Sequence, residues 1–189
     1  MNENNVLVAK AMKVATIAHK DGTRKGSETP YIVHPFEVAM ILQDNGMNAQ
    51  VIAAGLLHDV LEDTSVSPEE LREEFGKYIL DLVLGASEEL EDRDNRPWQD
   101  RKEHTISFLR DKAPFAVKCI GCADKLSNAR SMLRDIVNYE KEEDFWNRFS
   151  AGKERQKWYY ESLIESLEEL EGLKMYNEFK RVIERLFEG

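Results

Sequence analysis

One segment limits the possible folds more than any other, because residues 49–62 are apolar on nearly every side of a helix. No polar residue interrupts residues 51–57, which read Val-Ile-Ala-Ala-Gly-Leu-Leu. A helix that is apolar all round is covered by other elements on every side. We therefore predict a central helix over residues 49–62, with the remainder of the chain packed around it.

Helix boundaries recur along the chain, whereas strand patterns are scarce. Ser67-Pro68-Glu69-Glu70 combines a capping box with a proline in the first helical turn, and Pro35 suits the first turn of an earlier helix. Helical patterns cover residues 6–19, 35–45, 49–62, 68–76, 78–84, 98–109, 115–133, 145–149, 153–170 and 173–187, and residues 88–96 read as a charged loop. A length of 189 residues suits one hydrophobic core. We expect a single all-α domain, a helical bundle over residues 1–189.

The charge of the chain argues against one class of partner. Asp and Glu number 36 against 26 Lys and Arg, which gives a formal net charge of −10. Nucleic-acid surfaces are normally basic, so we expect no nucleic-acid partner. A small phosphorylated substrate stays compatible, because a metal ion and a few local cations can make one pocket positive inside an acidic protein.

The apolar runs and the start of the chain predict a location. The longest apolar stretch is far shorter than the roughly 20 residues that span a bilayer. The opening residues, Met1-Asn2-Glu3-Asn4-Asn5, lack the basic region of a secretory signal. We expect a cytoplasmic protein without membrane contact, and the sequence leaves open whether it forms a homo-oligomer.

Cys119 and Cys122 form a C-x-x-C pair inside the apolar run 115–123. A redox pair would occur in a βαβ context, and a zinc site would have two further ligands at similar spacing. The sequence pattern offers neither. We interpret both residues as buried structural thiols, because a free cysteine behaves as a small hydrophobic residue.

Four ionisable residues follow the apolar segment within six positions: His58, Asp59, Glu62 and Asp63. On a continuous helix Asp59 lies beside Glu62 at i+3 and Asp63 at i+4. Carboxylates crowded in this way repel one another, and burying them without a partner is costly. A divalent cation would supply the compensating charge. The alternative, a solvated helix end, suits Asp63 but does not account for the adjacent His58 and Asp59.

Two further segments carry candidate ligands. His34 directly precedes Pro35 and so lies at the start of a helix. Asp124, Asn128 and Ser131 fall at i, i+4 and i+7, which places them on one helix face. Taken singly, His34 would be a structural histidine and Asp124 an ordinary surface aspartate.

Taken together, these residues resemble a known family. The order His34, then His58-Asp59, then Asp124 resembles the H…HD…D signature of HD-superfamily phosphohydrolases, and more closely the hydrolase domain of the RelA/SpoT family of guanosine polyphosphate enzymes. The resemblance covers about residues 5–165. It is carried by Arg24-Lys25-Gly26 with Pro30-Tyr31-Ile32-Val33-His34-Pro35, by Ala54-Gly55-Leu56-Leu57-His58-Asp59-Val60-Leu61-Glu62-Asp63-Thr64, and by Ala123-Asp124-Lys125-Leu126-Ser127-Asn128.

The resemblance implies a helical HD domain with a catalytic divalent metal, usually Mn²⁺ in the family. The residues matching the family's metal ligands are His34, His58, Asp59 and Asp124. Glu62 and Asp63 match its catalytic acidic pair, which positions and activates the attacking water. The C-terminal helices, residues 153–187, would pack on this domain.

The resemblance also implies a set of substrate contacts. Arg24 and Lys25 would flank the nucleotide, with the arginine against the purine face, and a solvated pair of loop charges is the alternative. Asn128 and Ser131 match further nucleotide contacts. Arg155 and Tyr159, at i and i+4, match residues that bind phosphates in small family members, and a solvated helix face is the alternative. His19 and His104 lie away from these segments, and we interpret them as structural or exposed.

The function expected from this resemblance is metal-dependent removal of the 3′-pyrophosphate from ppGpp or pppGpp, giving GDP or GTP and pyrophosphate. The partner would be a small purine nucleotide. One alternative is an HD hydrolase of another nucleotide, such as ppApp, NADPH or a dNTP. A second alternative, from a different class, is a nucleotide sensor without turnover.

Overall fold

The computed structural model describes residues 2–24, 27–87 and 95–188. In these ranges the chain is helical, and the only β structure is an isolated bridge between Thr23 and Pro30. The predicted all-α class is therefore confirmed. The helices are α1 (Glu3–Ala18), α2 (Val33–Asp44), α3 (Ala49–Leu57), α4 (Val60–Asp63), α5 (Pro68–Phe75), α6 (Lys77–Ala86), α7 (Trp98–Asp111), α8 (Phe115–Ile136), α9 (Glu142–Asn147), α10 (Gly152–Ser166) and α11 (Lys174–Phe187), with a 3-10 helix at Glu168–Leu170.

The predicted central position of α3 is confirmed. Every residue from Val51 to Leu57 is buried, and α1, α2, α6 and α8 all pack against this helix. Asn48 caps its start, because the side-chain oxygen of Asn48 accepts from the backbone N–H groups of Gln50 and Val51. The uniformly apolar sequence of α3 thus fixes the middle of the fold.

The predicted continuity of this helix through residue 62 is wrong. The helix ends at Leu57, and α4 begins at Val60. Asp59 has φ −95° and ψ −6°, which departs from regular α geometry. Its carbonyl accepts from the N–H groups of Glu62 and Asp63, so Asp59 is the N-cap residue of α4. The break lies at the His58-Asp59 pair, whose side chains lie close together, with His58 Nε2 3.1 Å from Asp59 Oδ2.

A close approach of α2 and α3 brings two parts of the candidate site together. A Cβ atom on Gly55 would collide with the side chain of Leu42 in α2. The absence of a side chain at Gly55 therefore allows the two helices to touch. His34 in the first turn of α2 and His58 just after α3 become neighbours as a result.

The long helix α8 packs against α2, α3, α6 and α11. Residues 117–124 of this helix are buried, including Cys119 and Cys122, which are free thiols. Burial raises the pKa of Cys119 to about 12, so this thiol is protonated at neutral pH. The prediction of buried structural cysteines is confirmed. Further along, α8 presents Asp124 and Asn128 to the site.

Helix ends differ from the predicted bounds by a few residues. The first helix begins at Glu3 rather than residue 6, and the predicted helix 153–170 consists of α10 and the 3-10 helix. The capping box at Ser67 and Glu70 is present, with both of its hydrogen bonds. Most of the predicted charged loop, residues 88–94, lies outside the described residues. In the part of the chain that is described, none of the helices has the length and apolarity needed to cross a membrane.

Candidate active site

Four predicted ligands meet where α2, the α3–α4 junction and α8 converge. The Nε2 atom of His34 lies 3.1 Å from Asp124 Oδ1 and 3.5 Å from Asp59 Oδ2. The Nε2 atom of His58 lies 3.1 Å from Asp59 Oδ2 and 3.8 Å from Asp124 Oδ1. Both imidazoles are 2 % exposed. The structure therefore brings two histidines and two carboxylates from three separate segments of the chain together at a buried point.

The mutual attraction of these groups shifts their pKa values. Burial acts to lower the pKa of His58, but the Asp59 and Asp124 carboxylates outweigh it and raise this pKa well above 6.5. Burial acts to raise the pKa of Asp59, but the neighbouring His58 outweighs it and lowers this pKa. The pKa of Asp124 is lowered in spite of burial, chiefly by Lys125 and by the hydrogen bond with His34. In the metal-free protein the raised pKa keeps a proton on His58, and this positive charge offsets part of the carboxylate charge.

The donor atoms fit a divalent cation. The Nδ1 atom of His58 lies 2.7 Å from the Gly55 carbonyl, which can only accept, so Nδ1 carries the proton in the neutral imidazole. The Nε2 atom then presents a lone pair toward the carboxylates, and this buried atom makes no hydrogen bond of acceptable geometry. One ligand atom each from His34, His58 and Asp59 lies within 4.8 Å of the others. Imidazole nitrogen and carboxylate oxygen are usual ligands of first-row divalent metals.

Asp124 borders this group and is held at both carboxylate oxygens. Its Oδ1 accepts from Asn128 Nδ2 at 2.6 Å, and its Oδ2 accepts from Lys125 Nζ at 2.6 Å. The side chain of Lys125 is largely buried, and the nearby Asp124 carboxylate keeps its pKa well above 10.5 in spite of burial. A fixed positive charge therefore lies next to the candidate metal ligands.

A cavity of about 520 Å³ opens onto these residues. The predicted acidic pair, Glu62 and Asp63, lines it together with Asp59. Cationic and polar side chains line the same space. They include Arg24, Tyr31, Lys102, His104, Lys112, Lys125 and Asn128. The cavity therefore contains carboxylates, which can bind a metal ion and water. It also contains cations, which can bind phosphate groups.

Arg24 is connected to the metal-ligand group through Asn128. The guanidinium Nη2 donates to Asn128 Oδ1 at 2.7 Å, and Asn128 Nδ2 donates to Asp124 Oδ1 at 2.6 Å. The guanidinium carbon also lies 5.6 Å from the centre of the Tyr31 ring. One chain of contacts thus links the predicted base-binding arginine to a predicted metal ligand.

Sequence reasoning assigned no role to Tyr31, although Tyr31 lies in one of the signature segments. Its hydroxyl donates to Asp59 Oδ2 at 2.6 Å. Burial, reinforced by Asp59 and Asp63, raises the pKa of this hydroxyl far above 10, so it keeps its proton. The available signal for a role of this tyrosine was its position, two residues after Thr29 and three before His34. A residue so close in sequence to a predicted metal ligand can reach the same site.

The interpretation of His19 and His104 as structural or exposed is confirmed, although both lie closer to the site than their sequence positions indicate. His19 follows α1, is 5 % exposed and stacks on Tyr31 with ring centroids 4.8 Å apart. Its pKa is lowered, mainly by burial. His104 is exposed on α7 but lines the cavity. Chain folding brings both residues near the signature segments, which their positions in sequence do not indicate.

The structure does not gather all of the predicted substrate residues in this cavity. Ser131 lines a second cavity of about 510 Å³, to which Arg24 and His34 also contribute. Tyr159 is buried in α10 and packs against Trp98. Arg155 is exposed, and α10 contributes no residue to either cavity among the described parts of the chain. Lys25 lies outside the described residues.

Comparison with known proteins defines the class. The model of the HD domain family matches residues 11–151, which is most of the chain. The protein therefore belongs to the HD domain family.

Particular relatives are more informative about the type of HD domain. The guanosine-3′,5′-bis(diphosphate) 3′-pyrophosphohydrolase MESH1 of Xenopus tropicalis is 36 % identical over 137 residues, which are 71 % of this chain and 74 % of that protein. A guanosine-3′,5′-bis(diphosphate) 3′-pyrophosphohydrolase of Borreliella burgdorferi is 35 % identical over 127 residues, which are 66 % of this chain. This chain spans only about a fifth of that long relative, 19 % of its length.

Solved structures agree with the fold. A 1.85 Å crystal structure of a Listeria monocytogenes EGD-e protein superposes with a TM-score of 0.72 at 32 % identity, covering 86 % of this chain and 98 % of that one. A metazoan SpoT orthologue, described as hydrolysing ppGpp, superposes with a TM-score of 0.73. At 24 % identity, with 96 % of this chain and 94 % of the other covered, this second match supports the fold alone.

Proposed function

We propose that this protein is a metal-dependent 3′-pyrophosphohydrolase that converts ppGpp or pppGpp to GDP or GTP and pyrophosphate. The observation that carries the proposal is the convergence of His34, His58 and Asp59 beside a cavity that Glu62 and Asp63 also line. The similarity to MESH1, which extends over 74 % of that protein, selects this reaction among the reactions that such a site can perform.

The metal proposed for this site is Mn²⁺, held by His34, His58 and Asp59, with Asp124 as the fourth ligand. Two imidazoles with carboxylates suit Mn²⁺ or a related first-row ion. When bound, such a cation lowers the pKa of coordinated water and neutralises charge on the phosphoryl group. Tyr31 fixes one ligand by donating to Asp59, and Asn128 and Lys125 fix another by donating to Asp124.

Glu62 and Asp63 are the proposed proton acceptors. Both lie in α4, one turn after Asp59, and both line the cavity. In the proposed reaction, the oxygen of a water molecule attacks the phosphorus that is joined to the 3′ oxygen. The acidic pair removes a proton from the water, the O3′–P bond breaks, and the leaving 3′ oxygen takes up that proton, so that the acidic pair returns to its starting state. A positioned carboxylate contributes typically about 10²–10⁴-fold to such a step.

Arg24 is proposed to hold the purine face, since a guanidinium plane stacks well on an aromatic base. The hydrogen bond to Asn128 holds the guanidinium in place before substrate arrives. Lys102, Lys112 and Lys125 line the same cavity and can balance the substrate phosphates. The predicted contacts from Ser131, Arg155 and Tyr159 carry less support, because none of them lines this cavity among the described residues.

A nucleotide panel tests the proposal. Purified protein with Mn²⁺ is offered ppGpp, ppApp, NADPH and dGTP, and the products are separated by chromatography to give kcat/KM for each compound. We expect ppGpp to be the best substrate, with GDP and pyrophosphate as products. An Asp59→Ala preparation, purified in the same way, controls for contaminating hydrolases. If kcat/KM for dGTP exceeds kcat/KM for ppGpp tenfold, the difference is about 1.4 kcal/mol of transition-state discrimination. The alarmone assignment is then wrong, and only the proposed metal chemistry remains.

The remaining predictions from sequence accompany this proposal. A cytoplasmic location and the absence of a membrane partner stay predictions. The absence of a nucleic-acid partner also stays a prediction, and the acidic charge of −10 supports it.

A further inference from the structure

His34 is held from behind by a pair of polar residues that the catalytic proposal does not use. Its Nδ1 atom lies 2.9 Å from Ser127 Oγ, and Ser127 Oγ donates to Glu37 Oε2 at 3.0 Å. Ser127 is 1 % exposed, so bulk water does not compete for these bonds. Glu37 lies one turn after His34 on α2, and Ser127 lies three residues after Asp124 on α8.

We call the hydrogen-bonded chain from His34 through Ser127 to Glu37 the relay. Its chemistry fixes the position of each proton. Burial acts to raise the pKa of Glu37, but Arg134, Arg130 and Ser127 outweigh it and lower this pKa, so the side chain is a carboxylate. A carboxylate only accepts hydrogen bonds. The single hydroxyl proton of Ser127 therefore points to Glu37, and Ser127 Oγ can only accept from His34. The Nδ1 atom of His34 must then carry a proton, which leaves Nε2 as the nitrogen that faces Asp59 and Asp124.

The far end of the relay is anchored by fixed charges. Arg130 Nη1 lies 3.2 Å from Glu37 Oε1, and Arg134 Nη2 lies 3.4 Å from Glu37 Oε2. Arg130 is itself held by Glu178 of α11 at 2.6 Å. Glu37 thus has a defined position between α2, α8 and α11, and it is not a mobile surface carboxylate.

The two histidines of the site reach the same tautomer by different means. His58 Nδ1 is held by the backbone carbonyl of Gly55, which a side-chain substitution does not remove. His34 depends on two side chains. We propose that Glu37 and Ser127 are positioning residues that set the tautomer and orientation of His34 for metal binding. This inference rests on the proposed function, in which His34 is a metal ligand.

The test uses the 189-residue chain stripped of metal, with Ser127→Ala and Glu37→Gln as the two variants. The matched control is Ser166→Ala, since Ser166 is also buried but donates to the Ser162 carbonyl within α10. Mn²⁺ affinity is measured by titration calorimetry. Loss of a hydrogen-bonding partner behind a histidine ligand typically costs about 10–100-fold in metal affinity. We expect losses of that size in both relay variants and a wild-type affinity in Ser166→Ala.

A second readout separates positioning from general damage to the fold. In the metal-free protein at alkaline pH, nitrogen-15 NMR of the neutral imidazole identifies which ring nitrogen of His34 carries the proton. We expect the Nδ1–H form in the wild type and in Ser166→Ala, and a loss of this preference in Ser127→Ala. His58 is an internal reference, because its Nδ1 partner is unchanged in every variant.

The outcomes distinguish this inference from the proposed function. If the wild type binds Mn²⁺ and the relay variants bind equally well with an unchanged His34 tautomer, the relay is refuted and the metal site stands. If the wild type binds no Mn²⁺, or if His34→Ala binds as tightly as the wild type, the proposed metal site is wrong and the inference fails with it. Glu37→Gln keeps the test valid if Ser127→Ala does not fold.

Discussion

Replacement of Tyr31 by phenylalanine removes one hydroxyl from the centre of the candidate site and leaves the ring in place. The ring stacks on His19 and lies beneath Arg24, and neither contact requires the oxygen. The lost interaction is the 2.6 Å hydrogen bond to Asp59 Oδ2. Tyr31→Phe therefore tests how much this bond contributes to the stability of the metal-free protein.

The expected magnitude follows from the charge of the acceptor. The pKa of Asp59 is lowered, so the acceptor is a carboxylate at neutral pH. A hydrogen bond to a charged group contributes about 1.5–3 kcal/mol to stability. In a protein of this size each kcal/mol shifts Tm by about 2–4 °C, so these estimates together give a decrease of roughly 3–12 °C.

The assay is urea unfolding of the metal-free wild type, Tyr31→Phe, Asp59→Ala and the double variant at neutral pH with a chelator present. The four free energies of unfolding form a double-mutant cycle, which isolates the Tyr31–Asp59 pair. We expect a coupling energy of about 1.5–3 kcal/mol. Tyr139→Phe is a control, because it removes a tyrosine hydroxyl at a partly exposed position.

Two results would refute this reasoning. One is a loss in Tyr31→Phe of less than about 0.5 kcal/mol, the range of ordinary surface substitutions. The other is an equal loss in the wild-type and Asp59→Ala backgrounds, which would assign the effect of the substitution to something other than the Asp59 bond.

Four further predictions concern the metal, the acidic pair, the base contact and pH. His58→Ala should abolish both metal binding and turnover, and a wild-type metal content by elemental analysis would contradict the assigned ligand. Glu62→Gln and Asp63→Asn should retain metal but lose about 10²–10⁴-fold in kcat, whereas near-normal rates would leave the pair as a solvated helix end. Arg24→Ala should raise KM by about 2–30-fold, the equivalent of the 0.5–2 kcal/mol expected for a cation over an aromatic face. A larger effect on kcat than on KM would place Arg24 at the reacting phosphate instead. Because the pKa of His58 is raised above 6.5 in the metal-free protein, its stabilising charge is fully present below pH 6.5 and is lost as pH rises through the raised pKa. Without metal, the urea midpoint of unfolding should fall over that pH interval. The Mn²⁺ affinity should rise over the same interval, because the metal competes with the proton for the imidazole. An affinity that does not change with pH would contradict this.

Local sequence determined the helical elements. The capping box at Ser67, the position of Pro35 and the unbroken apolar run of α3 all act within one or two turns, so their effects can be read without the fold. The burial of α3 and of Cys119 followed directly from composition. The grouping of His34, His58, Asp59 and Asp124, by contrast, came from the family resemblance, because spacing alone left both His34 and Asp124 open to ordinary structural roles.

The tertiary structure decided the details of the site. The break after Leu57 could not be read from periodicity, since residues 49–62 satisfy a continuous helical pattern. Tyr31 acquires its role because the α1–α2 connection crosses the α3–α4 junction. Asn128 and Ser131, which the sequence places on one helix face, line different cavities, and Arg24 lines both.

The relay behind His34 shows most clearly that local sequence does not determine which side chains meet. Glu37 and Ser127 are 90 residues apart, and no local pattern relates them. They meet because α2 and α8 pack side by side against α3. Helical periodicity specifies which side of a helix a residue occupies, whereas the partner on that side is set by how the helices pack. For this protein the sequence determined the helices and identified the candidate metal-binding and catalytic residues. The packing of the helices decided which side chains orient those residues.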